Sequence, residues 1–215
     1  MKKHINIHTH KIKYRNNTFS LFNICPEKFT KLSAYGNSCF SAGIHPWHID
    51  SAVEEKIKIL KQIVSNTAVL AIGETGLDRL CNVDFNIQKE IFNRHVVIAK
   101  ETGKPLIIHC VRAWEEVRQI LKESQIDVPV IFHGFRGKPQ LAKELTNAGF
   151  YLSFGNLFNK KSLEATPLNR IFMETDDKDF AIEEVYRLVA EVKGVSVEKL
   201  VEVVWKEFRE IFYKD

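Results

Sequence analysis

Six residues of types that commonly bind divalent metal ions lie at the ends of apolar, strand-like runs of this sequence. They are His8, His10, Glu74, His109, His133 and Asp176. Neutral imidazole nitrogen and carboxylate oxygen are good donors for zinc, manganese and similar ions. A bound divalent ion lowers the pKa of water toward about 7, which makes hydroxide available at neutral pH. The chemistry that this set of residues predicts is metal-assisted hydrolysis.

The spacing of these residues indicates separate roles. His8 and His10 are two positions apart, so on a strand both imidazoles point to the same side and can bind one ion. Glu74 has two carboxylate oxygens and can bridge two ions, while His109 and His133 can complete a second site. Asp176 can bind the first ion and also orient or deprotonate a water molecule. We expect two divalent ions (zinc, magnesium or manganese), with Asp176 and Glu74 as the catalytic residues.

Taken one at a time, these residues have ordinary structural explanations. A single histidine at a strand end is more often a hydrogen-bonded core or loop residue. Glu74 alone can cap a helix or pair with Arg79, and Asp176 can favour the amino terminus of the next helix. Their recurrence at equivalent strand ends favours the metal site.

Short β-favouring runs alternate with amphipathic helical stretches along the whole chain. The predicted strands are Ile5–His8, Phe19–Ile24, Cys39–Gly43, Ala68–Gly73, Pro105–His109, Pro129–His133, Phe150–Phe154 and Arg170–Glu174. Alternation of this kind predicts βα units around a parallel sheet. In a parallel (β/α) barrel the carboxyl ends of all strands meet at one rim, which would bring distant metal-binding residues together. A doubly wound open sheet is the main alternative.

The helical stretches carry sequence signals for their ends. Ser51 and Glu54 have the spacing of a capping box at the start of one helix. A second helix is expected to begin near Pro139 and to stop at Gly149, and Ser196 is expected to cap the last one.

The composition is that of a globular domain, because 45% of the 215 residues are hydrophobic and 27% are charged. We expect one domain over residues 1–215.

No apolar run reaches the roughly 18–20 residues needed to span a bilayer, and the first residues lack the apolar stretch of a signal peptide, so we expect a cytoplasmic protein. The four cysteines form no Cys-x-x-Cys pair and are expected to be free thiols. A net charge of +4 is compatible with a phosphate-bearing substrate but is weak evidence for one.

The motifs together resemble those of the TatD family of metal-dependent deoxyribonucleases, within the amidohydrolase superfamily. The matching segments are His8-Thr9-His10, Gly43-Ile44-His45-Pro46, Ala71-Ile72-Gly73-Glu74-Thr75-Gly76-Leu77-Asp78, Gln88, Lys104-Pro105-Leu106-Ile107-Ile108-His109, His133-Gly134-Phe135-Arg136-Gly137, Tyr151-Leu152-Ser153-Phe154-Gly155 and Met173-Glu174-Thr175-Asp176. They follow the family's order over nearly the whole chain. The Gly-Glu-Thr-Gly-Leu-Asp and Glu-Thr-Asp segments are highly specific, whereas His-x-His alone is common to many hydrolases.

The resemblance implies a distorted TIM-type barrel with a binuclear metal site. By analogy one ion binds His8, His10, Glu74 and Asp176, and the other binds Glu74, His109 and His133. The family's usual activity is phosphodiester hydrolysis, often as a 3′→5′ exonuclease on DNA, in which a metal-bound hydroxide attacks phosphorus. Asp176 is then the base, and His45 and Arg136 are expected to contact the substrate phosphate. The expected partner is DNA or another nucleotide-containing substrate, with no membrane and no obligate protein partner.

The chain departs from the family pattern in places that concern substrate rather than metal. The stretch from Lys11 to Ser38 is shorter than usual and lacks the Asp that commonly follows His-x-His. Val111 stands where the family often has an Arg, and Arg112 follows it. After Asp176 the usual Pro-containing loop is replaced by residues 177–180, and Glu207 replaces an Asn. Every metal-ligand position survives.

Three functions therefore remain open at this point. The first is a metal-dependent phosphodiesterase that acts on DNA ends. The second is a barrel hydrolase that cleaves a C–N, ester or phosphoester bond in a small molecule, because the same ligand set activates water for acyl centres. The third is a metal-binding scaffold without turnover.

Overall fold

The computed structural model of the chain, which describes residues 2–13, 16–32 and 38–213, contains eight strands with helices between most of them. The strands are β1 (His4–Thr9), β2 (Thr18–Ile24), β3 (Cys39–Ala42), β4 (Val69–Asp78), β5 (Leu106–Val111), β6 (Val130–Phe132), β7 (Tyr151–Phe154) and β8 (Ile171–Met173). The α-helices are α1 (Phe29–Leu32), α2 (Val53–Ile63), α3 (Phe85–Thr102), α4 (Trp114–Glu123), α5 (Pro139–Asn147), α6 (Lys160–Ala165), α7 (Ile182–Lys193) and α8 (Val197–Phe212). All eight predicted strands are present, with ends that shift by a few residues.

The order of the strands excludes the doubly wound alternative. Hydrogen-bonded neighbours in the eight-stranded sheet follow the chain order from β1 to β8. A doubly wound sheet reverses its strand order at a switch point, and this order contains no reversal. Every strand pairing whose register is resolved is parallel.

The chain divides into two compact units, of which the first comprises Met1–Phe22 and Ile131–Asp215. In this unit β1 pairs with β2, β6 with β7 and β7 with β8. The buried Tyr186 hydroxyl accepts a hydrogen bond from the Ile5 amide (2.9 Å) and lies 3.2 Å from the Ile5 carbonyl, so α7 is tied to the backbone of β1. The predicted cap of the last helix is confirmed, because the Ser196 hydroxyl accepts a hydrogen bond from the Lys199 amide (3.1 Å).

The second unit comprises Asn23–Val130, and in it β3 pairs with β4 and β4 with β5. Ile44, Ile57 and Ile91 form a buried apolar cluster between the loop after β3 and the helices α2 and α3. The predicted capping box of α2 is wrong, since the helix has Ala52 at its N-cap and no side-chain cap. The Asp50 carboxylate instead accepts a hydrogen bond from the Ala52 amide (2.9 Å), one residue earlier than predicted.

Strand β4 extends further than the sequence pattern predicts. The predicted strand ends at Gly73, whereas β4 continues to Asp78 after a shift of register between Ile72 and Thr75. Gly76 makes the extension possible because it has a φ of 147° and passes so close to β5 that a Cβ there would overlap the His109 carbonyl oxygen. Glu74 therefore lies within β4 rather than at its end.

Three predictions about the chain as a whole are not decided by the fold. The shortened stretch from Lys11 to Ser38 includes residues 14–15 and 33–37, which lie outside the described residues. Among the helices of the described residues, none combines the length and the apolar character needed to cross a bilayer. The single domain and the cytoplasmic location stay predictions.

Candidate active site

In the first unit, β1 and the segment after β8 bring together two histidines and an aspartate. His8 is on β1, His10 follows β1, and Asp176 follows β8. The Asp176 Oδ1 atom lies 3.6 Å from His8 Nε2 and 3.4 Å from His10 Nε2. One donor atom from each of the three residues lies within 4.8 Å of the others. We call this group the His8 cluster.

The backbone around Asp176 fixes the position of its carboxylate. The Asp176 amide donates a hydrogen bond to the His8 carbonyl (3.1 Å), and the His10 amide donates to the Asp176 carbonyl (3.1 Å). Asp176 has a φ of 53°, a left-handed conformation that aspartate and asparagine tolerate better than most residues. Beside it, the buried Asn6 side chain accepts from the Thr175 amide (3.0 Å) and donates to the Thr175 hydroxyl (2.9 Å). These bonds tie the two strand ends of the first unit together.

His133 lies next to the His8 cluster and has a carboxylate partner of its own. Its ring centroid is 4.4 Å from that of His8, and its Nδ1 atom is 3.4 Å from Glu174 Oε1. Glu174 is buried, and it belongs to the same segment as Asp176. A carboxylate on one ring nitrogen commonly fixes the orientation of a metal-binding histidine. Glu174 is a supporting residue that the sequence motif contained but to which no role was assigned.

Neighbouring histidines lower the pKa values of the two carboxylates Asp176 and Glu174. Burial raises the pKa of Asp176, but hydrogen bonds from His10 and His8 outweigh burial and hold the pKa well below its usual range. Burial likewise acts to raise the pKa of Glu174, and the charge and hydrogen bond of His133 lower it overall. Both groups are therefore anionic at neutral pH, as a cation site requires.

In the second unit, Glu74 on β4 lies between two histidines. Its Oε1 atom is 3.1 Å from His109 Nδ1 and 3.4 Å from His45 Nε2. Asn23, near the end of β2, accepts a hydrogen bond from the Glu74 amide (2.7 Å) and donates to Glu74 Oε2 (3.4 Å). The donor atoms of Glu74, His45 and His109 lie within 4.8 Å of one another, and we call this group the Glu74 cluster.

Asp78 holds His109 from the side opposite to Glu74. Its Oδ2 atom is 3.0 Å from His109 Nε2. The backbone of Asp78 is fixed in turn by the buried Gln88 side chain, which accepts from the Asp78 amide (2.9 Å) and donates to its carbonyl (3.2 Å). Because Nε2 of His109 faces Asp78 and Nδ1 faces Glu74, Nδ1 is the nitrogen that could bind an ion beside Glu74. The pKa of Asp78 is lowered, since hydrogen bonds from His109, Leu80 and Trp47 outweigh the opposing effect of burial.

His45 has a hydrogen-bond pattern that favours a donor rather than a metal ligand. Its Nδ1 atom accepts a hydrogen bond from the Trp47 amide (3.1 Å), so Nδ1 carries no proton. In neutral imidazole the proton is then on Nε2, which faces Glu74. Burial lowers the pKa of His45 despite the opposing effect of Glu74, which favours this neutral form. His45 can therefore donate from Nε2 to Glu74, and its role as a substrate contact stays a prediction.

The His8 cluster and the Glu74–His109 pair have donor separations that fit a divalent ion. Ions such as zinc hold nitrogen and oxygen ligands at about 2.0–2.2 Å, so two ligands of a tetrahedral ion lie about 3.4 Å apart. The His–Asp separations in the His8 cluster, 3.6 and 3.4 Å, are close to this value. The His109–Glu74 separation of 3.1 Å is slightly shorter. That Glu74 bridges two ions stays a prediction.

The remaining sequence-based assignments have mixed outcomes. Arg136 lies on the loop after β6 and is exposed, and its contact with substrate stays a prediction. The suggested pairing of Glu74 with Arg79 is wrong, because Arg79 pairs with Glu116. The four cysteines are free thiols, as predicted, and burial raises the pKa of Cys110 to about 12.

Comparison with known proteins identifies the family. A family model described as TatD related DNase matches residues 7–213 of the chain. The chain belongs to this family. Among the relatives of the chain, the protein named "Uncharacterized metal-dependent hydrolase YcfH" of Escherichia coli strain K12 is 29% identical over 201 residues, which are 83% of this chain and 75% of that protein. The protein named "Uncharacterized metal-dependent hydrolase YabD" of Bacillus subtilis strain 168 is 30% identical over 192 residues, 79% of this chain and 75% of that protein.

Solved structures of TatD proteins share the fold of the chain. The structure of YjjV, a TatD homologue from Escherichia coli K12, has a TM-score of 0.84 at 18% identity and covers 100% of this chain and 99% of its own. A TatD family hydrolase from Entamoeba histolytica has a TM-score of 0.80 at 14% identity, with the same coverage of both chains. These likenesses concern the fold, and they confirm the predicted distorted TIM-type (β/α) barrel.

Proposed function

We propose that this metal-dependent hydrolase of the TatD family cleaves phosphodiester bonds at DNA ends, as an exonuclease of the 3′→5′ type. The observation that carries the proposal is the grouping of histidine and carboxylate donors, at ion-binding separations, in the His8 and Glu74 clusters. The family model, which describes a DNase, supports the same substrate class. Another nucleotide-containing molecule with a phosphodiester is the nearest variant of this substrate.

The residues of each cluster have distinct tasks in this reaction. His8, His10 and Asp176 would hold one divalent ion, to which the resemblance also assigns Glu74. Glu74 and His109 would hold a second, to which the resemblance also assigns His133. Bound divalent ions supply a lowered pKa of water and offset negative charge on phosphoryl oxygens. Asp176, kept anionic by His8 and His10, accepts a proton from the attacking water. His45 donates from Nε2 to a phosphoryl oxygen, and Arg136 adds positive charge from its exposed loop.

In this proposal, two supporting carboxylates set the tautomers of His109 and His133. Asp78 accepts from His109 and Glu174 accepts from His133, so each ring presents an unprotonated nitrogen to an ion. Partners of this kind commonly change metal affinity or activity by about 10- to 100-fold when they are lost.

The test compares the wild type with Asp176→Asn and with a matched control, Asp177→Asn. Asparagine tolerates the left-handed backbone at position 176, so the variant loses the charge but not the fold. Asp177 is an adjacent, exposed carboxylate that pairs with Lys178, and its substitution makes the same change in charge. Each protein is assayed with magnesium, manganese or zinc on a 5′-labelled single-stranded oligonucleotide, and in parallel on small esters and amides. Bound metal is measured by elemental analysis.

The wild type is expected to shorten the oligonucleotide from its 3′ end and to bind two ions per chain. Asp176→Asn should lower kcat by about 100-fold or more, the usual loss on removal of a general base, with an unchanged circular dichroism spectrum. Asp177→Asn should behave like the wild type. A wild type that leaves DNA intact but cleaves esters or amides would replace the proposal with the small-molecule hydrolase. A wild-type protein that binds no divalent ion would refute the proposed function.

A further inference from the structure

Two large apolar side chains stand exposed in the second unit, on the loops that follow β3 and β4. Trp47 is 63% exposed and Leu80 is 61% exposed. Both residues donate a hydrogen bond to the carboxylate of Asp78, Trp47 from its side chain and Leu80 from its backbone, and Asp78 is itself 1% exposed. The Trp47 indole Nε1 donates to Asp78 Oδ2 (2.7 Å), and the Leu80 amide donates to Asp78 Oδ1 (2.8 Å).

Trp47 lies beside the Glu74 cluster. The Asp78 Oδ2 atom that accepts from Trp47 is also 3.0 Å from His109 Nε2, so one carboxylate oxygen joins the indole to a candidate metal ligand. On the other side, the Trp47 amide donates to His45 Nδ1 (3.1 Å), and the two rings lie 5.5 Å apart, edge to face. A molecule bound against the Trp47 ring would therefore lie next to His45 and close to His109, two residues of the Glu74 cluster.

The ring of Trp47 is held in place although most of it faces solvent. It belongs to the short 3-10 helix Pro46–His48, in which Pro46 is buried and restricts the backbone. The loop after β4 is tied to this turn, because Cys81 Sγ lies 3.5 Å from the Pro46 carbonyl oxygen. Most of the Trp47 side chain is exposed, yet its indole N–H and its backbone N–H both donate hydrogen bonds. A fixed and exposed aromatic face is suited to binding a flat partner.

We propose that Trp47, together with Leu80, forms the surface on which an unpaired nucleobase of the substrate stacks. The proposal rests on the proposed phosphodiesterase function, and it adds the part of the substrate that the metal clusters do not recognise. Every nucleobase has a π face, so stacking on an aromatic ring holds a nucleotide with little dependence on its sequence. A base inside a duplex is stacked on its neighbours and is not available. The enzyme should therefore prefer single-stranded or frayed ends over blunt duplex ends.

The experiment measures KM and kcat for Trp47→Ala, Trp47→Phe and a control, Trp205→Ala, with the metal that supports turnover. Trp205 is a tryptophan on α8 whose ring packs near Phe208, and it has no part in either cluster. Two substrates are compared: an oligonucleotide that is intact, and one of equal length whose 3′-terminal nucleotides are abasic. Binding of dAMP is followed separately by quenching of tryptophan fluorescence, which needs no turnover.

Loss of one stacked base corresponds to about a 5- to 150-fold change in affinity. Trp47→Ala should therefore raise KM on the intact oligonucleotide within this range and have little effect on the abasic one. Trp47→Phe, which keeps a π face but loses the indole N–H, should lie between Trp47→Ala and the wild type. Quenching by dAMP should disappear in Trp47→Ala and persist in Trp205→Ala.

Two outcomes would overturn the proposal. If Trp47→Ala impairs the intact and abasic substrates equally, the indole acts only through its hydrogen bond to Asp78. If dAMP quenches Trp47→Ala as strongly as the wild type, the base binds elsewhere. Failure of the phosphodiesterase function is separate, because a wild type that cleaves no oligonucleotide but shows Trp47-dependent quenching by dAMP retains the base-binding surface.

Discussion

Lowering the pH from 7 to 5 is expected to destabilise the fold through one buried histidine, His95. Its side chain is completely buried in α3, where Nε2 accepts a hydrogen bond from the Ile44 amide (3.0 Å). Nδ1 lies 2.8 Å from the Ile91 carbonyl oxygen, so it carries the proton of the neutral ring. A second proton on Nε2 would face the Ile44 N–H directly. The loop that this bond holds also carries His45.

The magnitude follows from the pKa of His95 in the folded and unfolded states. Burial lowers this pKa from 6.5 to about 4, with a smaller contribution of the same sign from Arg94. Between these two values the unfolded chain binds more protons than the folded chain, so the free energy of unfolding falls as the pH falls. Relative to its value above pH 7, the free energy of unfolding is lower by about 2 kcal/mol at pH 5 and by about 3 kcal/mol below pH 4 through His95 alone. Above pH 7 this contribution to stability is fully present.

Urea denaturation at a series of pH values from 7.5 to 4.5, in the presence of a chelator, measures the effect without linkage to metal binding. Three proteins are compared: the wild type, His95→Gln and His48→Gln. The glutamine introduced by His95→Gln retains an acceptor for the Ile44 amide but does not titrate, and His48 is an exposed histidine that provides the matched control. Differences between variants cancel the titration of carboxylates that all three proteins share.

His95→Gln should be less stable than the wild type at pH 7, because it loses ring packing. The difference in free energy of unfolding between the wild type and His95→Gln should shrink by about 2 kcal/mol as the pH falls to 5. His48→Gln should follow the wild type at every pH. Parallel curves for the wild type and His95→Gln would refute the reasoning. They would show that the His95 pKa is the same in the folded and unfolded chains.

Two further substitutions test the supports of the Glu74 cluster. Asp78→Asn removes the charged partner of His109, and it should lower kcat or metal affinity by about 10- to 100-fold while the protein still folds, as measured by turnover and by titration with manganese. Full activity in this variant would contradict the supporting role of Asp78. Gly76→Ala should abolish the soluble, folded protein in expression trials, because its Cβ would overlap the His109 carbonyl oxygen at a φ of 147°. A stable Gly76→Ala protein would show that β4 and β5 can separate at this point.

The candidate metal ligands could be picked out from the sequence because their signal is local. Each candidate ligand follows or ends an apolar run of a few residues, and such a run is a reliable mark of a buried parallel strand. His8 and His10 illustrate this, since their spacing alone implies that they point to the same side of β1. Asp176 could be placed beside them only on the assumption of a parallel barrel, and the hydrogen bonds between its backbone and those of His8 and His10 confirm that contact.

The supporting residues were harder to predict because their roles depend on where a strand ends. The pattern stops β4 at Gly73, and on that basis Asp78 belongs to a loop with no assigned partner. The register shift and the close approach at Gly76 carry β4 on to Asp78, which brings this carboxylate to His109. No local pattern reports a register shift, since it is decided by pairing with a strand about 30 residues away in the chain.

The sequence by itself determined which residues of this protein are candidate ligands for divalent ions, because residue type and strand-end position are properties of short segments. The tertiary structure alone decided the hydrogen-bond partners of His45 and His109, the neutral state of His95 and the exposure of Trp47. Each of these depends on a hydrogen-bond partner, or on burial, supplied by another segment of the fold. The chemistry of a side chain is set by its environment, and that environment exists only once the chain has folded.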